Sequence, residues 1–249
     1  MRKISLLTFT TLLITVGFTA CSHTSKIKKS SRTKIQIPNE SKQLLLVTTE
    51  DWSSKDGKLQ RYIKRDTKWK KVGEAITVVI GRNGLGWGLG LHKVPKDAQY
   101  IKKEGDGKAP AGLFTLTHAF GYTPTDFSID YPYSTYSKTD HCVDDSHSIW
   151  YNKIIDSTKE KKDYRSFEHM RLESNLYKYG IVVNHNPNQK AEAGSCIFIH
   201  IKDESGKGTA GCTAMKEDKI VNILKWLERD KRPLLLQLPK DEMLKIDFI

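Results

Sequence analysis

Residues 197–215 read Ile-Phe-Ile-His200-Ile-Lys-Asp-Glu-Ser-Gly-Lys-Gly-Thr209-Ala-Gly211-Cys212-Thr-Ala-Met. An apolar run ends in a histidine, a short polar loop follows, and Thr209, Gly211 and Cys212 come just before a helical pattern. A thiol becomes a strong nucleophile as its thiolate, and a neighbouring imidazole can take the proton at neutral pH. Gly211 permits a tight turn that would aim the amides of Gly211 and Cys212 at a developing oxyanion. A helix starting near Lys216 would lend its positive N-terminal end to the thiolate. Taken alone, these residue types fit equally well a buried, inert cysteine beside a core histidine.

Outward from this stretch, the chain reads mainly as strands. Short apolar or β-branched runs at 43–49, 76–80, 113–117, 181–184, 197–201 and 234–238 are each bounded by Gly, Asn, Pro or Asp. Helical periodicity is clear over 217–229, where Ile220, Val221, Ile223, Leu224 and Leu227 share a face, and Pro233 stops it. A weaker helical pattern covers 166–177. Strands follow one another without intervening helices, so a mainly β sandwich with peripheral helices is expected. No internal repeat divides residues 43–249, which read as one domain.

The pattern of His200, a polar loop and Thr209-x-Gly211-Cys212 resembles the signature of the L,D-transpeptidase catalytic domain, the YkuD-like family. Glu104-Gly-Asp-Gly-Lys108-Ala-Pro110-Ala-Gly112 and Ala119-Phe-Gly121-Tyr122 are similar to its upstream strand-and-loop region. Cys142-Val-Asp144-Asp145 with Tyr151-Asn152, and Val183-Asn184-His185-Asn186, resemble a subgroup carrying a longer insertion. The resemblance spans roughly 43–240. It implies an L,D-transpeptidase-like β-sandwich whose cysteine attacks an amide carbonyl of peptidoglycan stem peptides through a thioester, with no cofactor and no metal. Carried over by residue, Cys212 is the nucleophile, His200 the general base, Gly211 and Cys212 the oxyanion donors, and Thr209 a supporting side chain. An amine acceptor would make a cross-link. Water would make an L,D-carboxypeptidase or an amidase that detaches lipoprotein from the wall. Three departures bear on substrate placement: Ile201 stands where a Gly commonly follows the His, Ala210 replaces a frequent His or Lys, and Thr213-Ala214 replaces an aliphatic residue and Arg. An Arg at 214 would supply a bidentate clamp that this chain lacks. A reading from another class is a non-catalytic wall-binding module with Cys212 inert.

Arg2 and Lys3 precede an uncharged stretch from 4 to 20, and small residues lead up to Cys21. This reads as a signal peptide over 1–20, with Cys21 resembling the lipidated cysteine of bacterial lipoproteins despite Phe18 at a position that is usually aliphatic. Residues 21–42 read as a basic, Ser/Thr-rich flexible tether. More than half of the formal +12 charge sits in the first 42 residues. The expected partners are therefore a membrane, through the anchor at Cys21, and anionic envelope polymers rather than nucleic acid. The expected location is the cell envelope, facing the periplasm or wall.

Several motifs fail on inspection. The alternating glycines at 84, 86, 88 and 90 break the dinucleotide fingerprint at Leu89, and Ala109 stands where a phosphate-binding loop needs Ser or Thr. His141, Asp144, Asp145 and His147 crowd one loop without a distant ligand, which favours a hydrogen-bonded loop over a metal site. Asp144, Asp145, Tyr151 and Asn184 are candidate stem-peptide contacts, with turn stabilisation as the alternative role. His185 reads as a solvated loop histidine or a second titratable group near the site, and Trp87 as a core anchor rather than a sugar platform. In an oxidising envelope, Cys142 and Cys196 either pair or remain small buried hydrophobes; the expectation is a disulfide that pins the insertion to the catalytic strand.

Overall fold

The computed structural model describes residues 35–243, and the leader, Cys21 and most of the tether lie outside them. The strands are β1 (Gln43–Thr49), β2 (Asp56–Arg65), β3 (Lys68–Val79), β4 (Leu85–Trp87), β5 (Ala109–Gly121), β6 (Tyr133–Thr135), β7 (Asp140–Val143), β8 (Ile154–Asp156), β9 (Phe167–His169), β10 (Tyr179–Val183), β11 (Phe198–Ile201), β12 (Thr213–Met215) and β13 (Leu234–Pro239). Two helices accompany them, α1 (Glu217–Trp226) and α2 (Lys240–Met243). The chain is mainly β, in a sandwich-like arrangement with few helices, as its sequence implies.

The main sheet runs β10-β11-β12-β3-β2-β1-β13-β5-β4, and β5 also pairs with β10, so the sheet returns on itself around the core. Ile199 and Ile201 of β11, Ile181 of β10, Ala119 of β5 and the leucines of β1 and β13 point into that core. Alternation along a strand sends Phe198 and His200 to the opposite, outer face. On that face Phe198 packs in a second cluster with Cys142 of the smaller sheet, β8-β7-β9, and with Tyr177, whose ring also stands against His200. The packed region begins before Gln43, since Ile35 is buried against the core and Ile37 packs beside it.

Helix α1 buries Ile220, Ile223 and Leu224, and carries Glu217 and Asp218 in its first turn, where the helix dipole favours acids. It ends sooner than its periodicity predicts. Leu227 is buried but extended. Buried Gln43 captures the end, donating from Nε2 to the Trp226 carbonyl at 2.7 Å and accepting the Glu228 amide at 2.9 Å. The helix expected over 166–177 does not form. Phe167–His169 instead pairs with β7, and the Phe167 ring stacks on His141 at 3.8 Å, so tertiary pairing overrides a weak local pattern. The β2–β3 hairpin matches an expected strand only at the end of β3, the run at 76–80; β2 and the first part of β3 have no counterpart. Its charged residues face solvent, and Asp66 makes the turn at φ 54°.

Candidate active site

Strands β11 and β12 are parallel neighbours, with Ile199 opposite Thr213 and His200 opposite Ala214. Cys212, one residue before Thr213, therefore projects from the same outer face as Phe198 and His200. Its Sγ accepts the Phe198 amide at 3.3 Å and lies 3.6 Å from the Cys196 carbonyl oxygen, to which the S–H donates. Burial, and then the nearby Glu168 carboxylate, push this thiol well above its ordinary value, against smaller opposing effects of the Phe198 amide and Lys102. Imidazole Nδ1 of His200 is 2.7 Å from the Ile201 carbonyl, to which Nδ1–H donates, and the Leu176 backbone also hydrogen-bonds the ring. Burial pushes the His200 imidazole down to about 4. At rest the pair is thus a neutral thiol beside a neutral imidazole, rather than the ready ion pair suggested by residue types alone.

The Thr209–Cys212 turn is held by one hydroxyl. Thr209 Oγ1 donates to the Cys212 carbonyl at 2.7 Å and accepts the Gly211 amide at 3.1 Å. The Gly211 amide, expected to face an oxyanion, is therefore engaged within the turn. Gly211 is closely surrounded: a Cβ there would stand 3.1 Å from the Lys108 carbonyl oxygen and 3.2 Å from Ile197 Cδ1, so a side chain would need these neighbours to give slightly. Nor does Cys212 sit at a helix N-terminus. Strand β12 intervenes before α1, roughly 10 Å of extended chain, and the dipole effect fades within a turn. Of the departures from the family pattern, Thr213 turns to the core side and donates to Gln237 Oε1 at 2.7 Å, while Ala214 is buried directly opposite His200.

A disulfide joins Cys142 of β7 to Cys196, closing a separation of 54 positions with Cα atoms 5.9 Å apart. It ties the small sheet to the residues leading into β11. Cys212 is the free cysteine among the described residues. Cys196 itself adopts φ 53°, with its amide donated to Asn152 Oδ1 at 3.0 Å.

The four candidate stem-peptide contacts do not converge on Cys212. Asp145 accepts the His147 and Arg165 amides, and Asn184 Nδ2 donates to Thr115 Oγ1 at 3.0 Å. Tyr151 is buried, donating its hydroxyl to Glu104 and accepting the Gly194 amide. Asp144 lies closest to the site's acids; burial, and more weakly Glu104, raise its carboxyl, while Ser166 opposes them. His185 is buried rather than solvated: Nδ1 accepts the Leu89 amide, Nε2–H donates to the Ala193 carbonyl, and burial pushes it down to about 4. Trp87 is a core residue, tilted against Trp52 at 5.5 Å. In the His141 loop, His141 bonds the Tyr164 hydroxyl and His147 is exposed. Among the described residues, no group of three or more His, Cys, Asp or Glu is placed to hold a metal ion.

Three side chains near Cys212 carry no sequence signal of their own. Lys102 is buried with Nζ on Asp106 Oδ1 at 2.7 Å. Glu168 of β9 accepts the Tyr177 hydroxyl at 2.6 Å, and the Tyr177 ring stands edge-on to His200 at 5.1 Å. A cavity of about 560 Å³ opens on the same outer face, between the two sheets, lined by His118, Tyr136, Trp150, Asn184 and Phe198 among others. Phe198, whose amide holds Cys212 Sγ, forms one wall.

A thiol and an imidazole thus lie on one face of adjacent parallel strands, with a Thr-x-Gly-Cys turn between them. The L,D-transpeptidase catalytic domain (YkuD) model matches residues 51–235, and the chain belongs to that family. No curated protein sequence matches it. Among solved structures, it is similar to the helical cell shape determining protein Pgp2 from Campylobacter jejuni, with 15% identity and a TM-score of 0.42 over 83% of this chain. A point variant of Pgp2 gives the same identity and score. The chain spans about half the length of that protein, 53%.

Proposed function

We propose that the protein is a peptidoglycan-modifying cysteine acyltransferase, an L,D-transpeptidase, acting on stem peptides from the cell envelope. In this reading Cys212 Sγ attacks the carbonyl of the L-to-D peptide bond. The thiol proton passes to His200 Nε2, an S–C bond forms, and the C–N bond breaks as His200 returns the proton to the departing amine. The thioester is then taken by the amine of a second stem peptide. The Cys212 amide is the oxyanion donor, since the Gly211 amide is held by Thr209. Lipidation at Cys21 anchors the domain to a membrane, and the basic tether brings it to the wall.

The observation that carries the reading is the placement of Cys212 and His200 on one face of two parallel strands, with Nδ1–H tied to the Ile201 carbonyl. Neutrality of the resting pair fits an enzyme whose proton transfer is completed with substrate in place. The test is incubation of the wild-type chain and Cys212→Ser with purified disaccharide tetrapeptide, with products identified by mass. Cross-linked dimers from wild type and none from the variant are expected. Disaccharide tripeptide without dimers would assign the protein as an L,D-carboxypeptidase. Equal turnover by the variant would remove Cys212 from the mechanism, and no turnover by either chain would leave a wall-binding module.

A further inference from the structure

Glu168 stands directly opposite Cys142 in the β7–β9 pair, so both side chains project from the same face of the small sheet. Cys142 reaches across that face to Cys196, whose carbonyl accepts from the Cys212 thiol. Glu168 is thus delivered toward the nucleophile. Its Oε2 accepts the Tyr177 hydroxyl at 2.6 Å. The Tyr177 ring is in turn wedged edge-on against His200 at 5.1 Å and Phe198 at 5.5 Å, in one buried cluster with Cys212. Neither Glu168 nor Tyr177 takes part in the bond-making steps above, yet together they touch or face every group that does.

We propose that Glu168 is a positioning residue of this site: by holding the Tyr177 hydroxyl it fixes the ring that braces His200. Its charge also acts on the Cys212 thiol, second to burial. The proposal rests on the reading of Cys212 as nucleophile. The charged and titratable groups around the thiol are Glu168 from β9, Tyr177 ahead of β10, His200 from β11 and Lys102 ahead of β5. Those around Glu168 are Tyr177, Asp144 and Glu104. Burial first, then Asp144 and Glu104, push Glu168 up to about 7 against the Tyr177 hydrogen bond, so its charge switches near neutrality. Below that pH the neutral carboxyl no longer opposes thiolate formation; above it, the carboxylate does. Ionisation of the two groups is therefore anticooperative.

The test is the rate of Cys212 alkylation by iodoacetamide against pH in the full chain, read by mass with the Cys212→Ser chain as blank, because that rate tracks the thiolate fraction even where the fraction is small. Glu168→Gln keeps an acceptor for Tyr177 and removes the charge. At a fixed pH above 7, it is expected to react about tenfold faster than wild type, one pKa unit of interaction. A curve that superimposes on wild type overturns the proposal, and a lowered melting temperature without a shifted curve assigns Glu168 to structure alone. A second measurement needs no substitution at 168. Isotope-labelled carboxyl NMR of the wild-type chain should place the Glu168 midpoint near 7; a midpoint near the ordinary glutamate value of about 4.3 overturns the charge switch. Neither measurement depends on turnover, so failure of the peptidoglycan reading leaves both outcomes interpretable.

Discussion

Replacing both Cys142 and Cys196 by alanine removes the cross-link without leaving a thiol to pair with Cys212. The disulfide closes 54 positions. In the chain-entropy model, a loop of that size restricts the unfolded ensemble by about 4 kcal/mol at 25 °C. For a domain of this size, each kcal/mol moves Tm by roughly 2–4 °C, so a fall of about 8–16 °C is expected. Loss of two buried side chains from the Phe120–Phe198 cluster acts in the same direction. The functional cost should exceed the thermal one. The bond secures β7, and with it Glu168 on β9 and the Cys196 carbonyl at 3.6 Å from Cys212 Sγ, so turnover well below the new Tm should drop as well. Differential scanning calorimetry of wild type, the double variant and reduced wild type measures the first effect, and initial rates on disaccharide tetrapeptide the second. A Tm within about 2 °C of wild type would refute the entropic reasoning. Undiminished turnover would refute the coupling of the small sheet to the site.

Thr209→Val preserves shape but removes the hydroxyl that bonds the Cys212 carbonyl and the Gly211 amide; stability should fall by about 1–3 kcal/mol in urea melts, with a larger loss in kcat. Gly211→Ala puts a methyl 3.1 Å from the Lys108 carbonyl oxygen, and overpacking of this kind costs about 1–3 kcal/mol; a variant as stable and active as wild type would show that the turn has slack. His185 has a folded value near 4, below the unfolded value of about 6.5, so the unfolded chain binds its proton first as pH falls. Its contribution is absent above pH 6.5 and becomes destabilising between 6.5 and 4; His185→Gln should remove up to about 1.4 kcal/mol per pH unit of slope from wild type across that window in acid denaturation.

Local chemistry was legible wherever the information is local. The strand that carries His200, the Thr209-x-Gly211-Cys212 turn and the apolar runs of β5, β10 and β13 announce themselves because short apolar runs and turn residues act over a few neighbouring positions. Helix α1 was visible from the Ile220, Ile223 and Leu224 face, but its end was not, because Gln43, distant in sequence, supplies the hydrogen bonds that stop it. The 166–177 segment failed for the same reason: its weak periodicity is outcompeted by pairing with β7.

Residue types and spacing by themselves determined a mainly β chain, a thiol–imidazole pair at the end of a strand, and the family to which both belong. Only the tertiary structure decided the state of that pair. Whether Cys212 rests as thiol or thiolate depends on its burial, on the Phe198 amide and on a carboxylate brought over by a separate sheet, none of which is encoded near Cys212. The same holds for the Gly211 amide, taken by a hydroxyl within the turn, and for Glu168 and Tyr177, which carry no motif and become part of the site through strand pairing and a disulfide. Desolvation and electrostatic coupling act through space, so the groups that set a nucleophile's reactivity become visible only once the chain has folded around it.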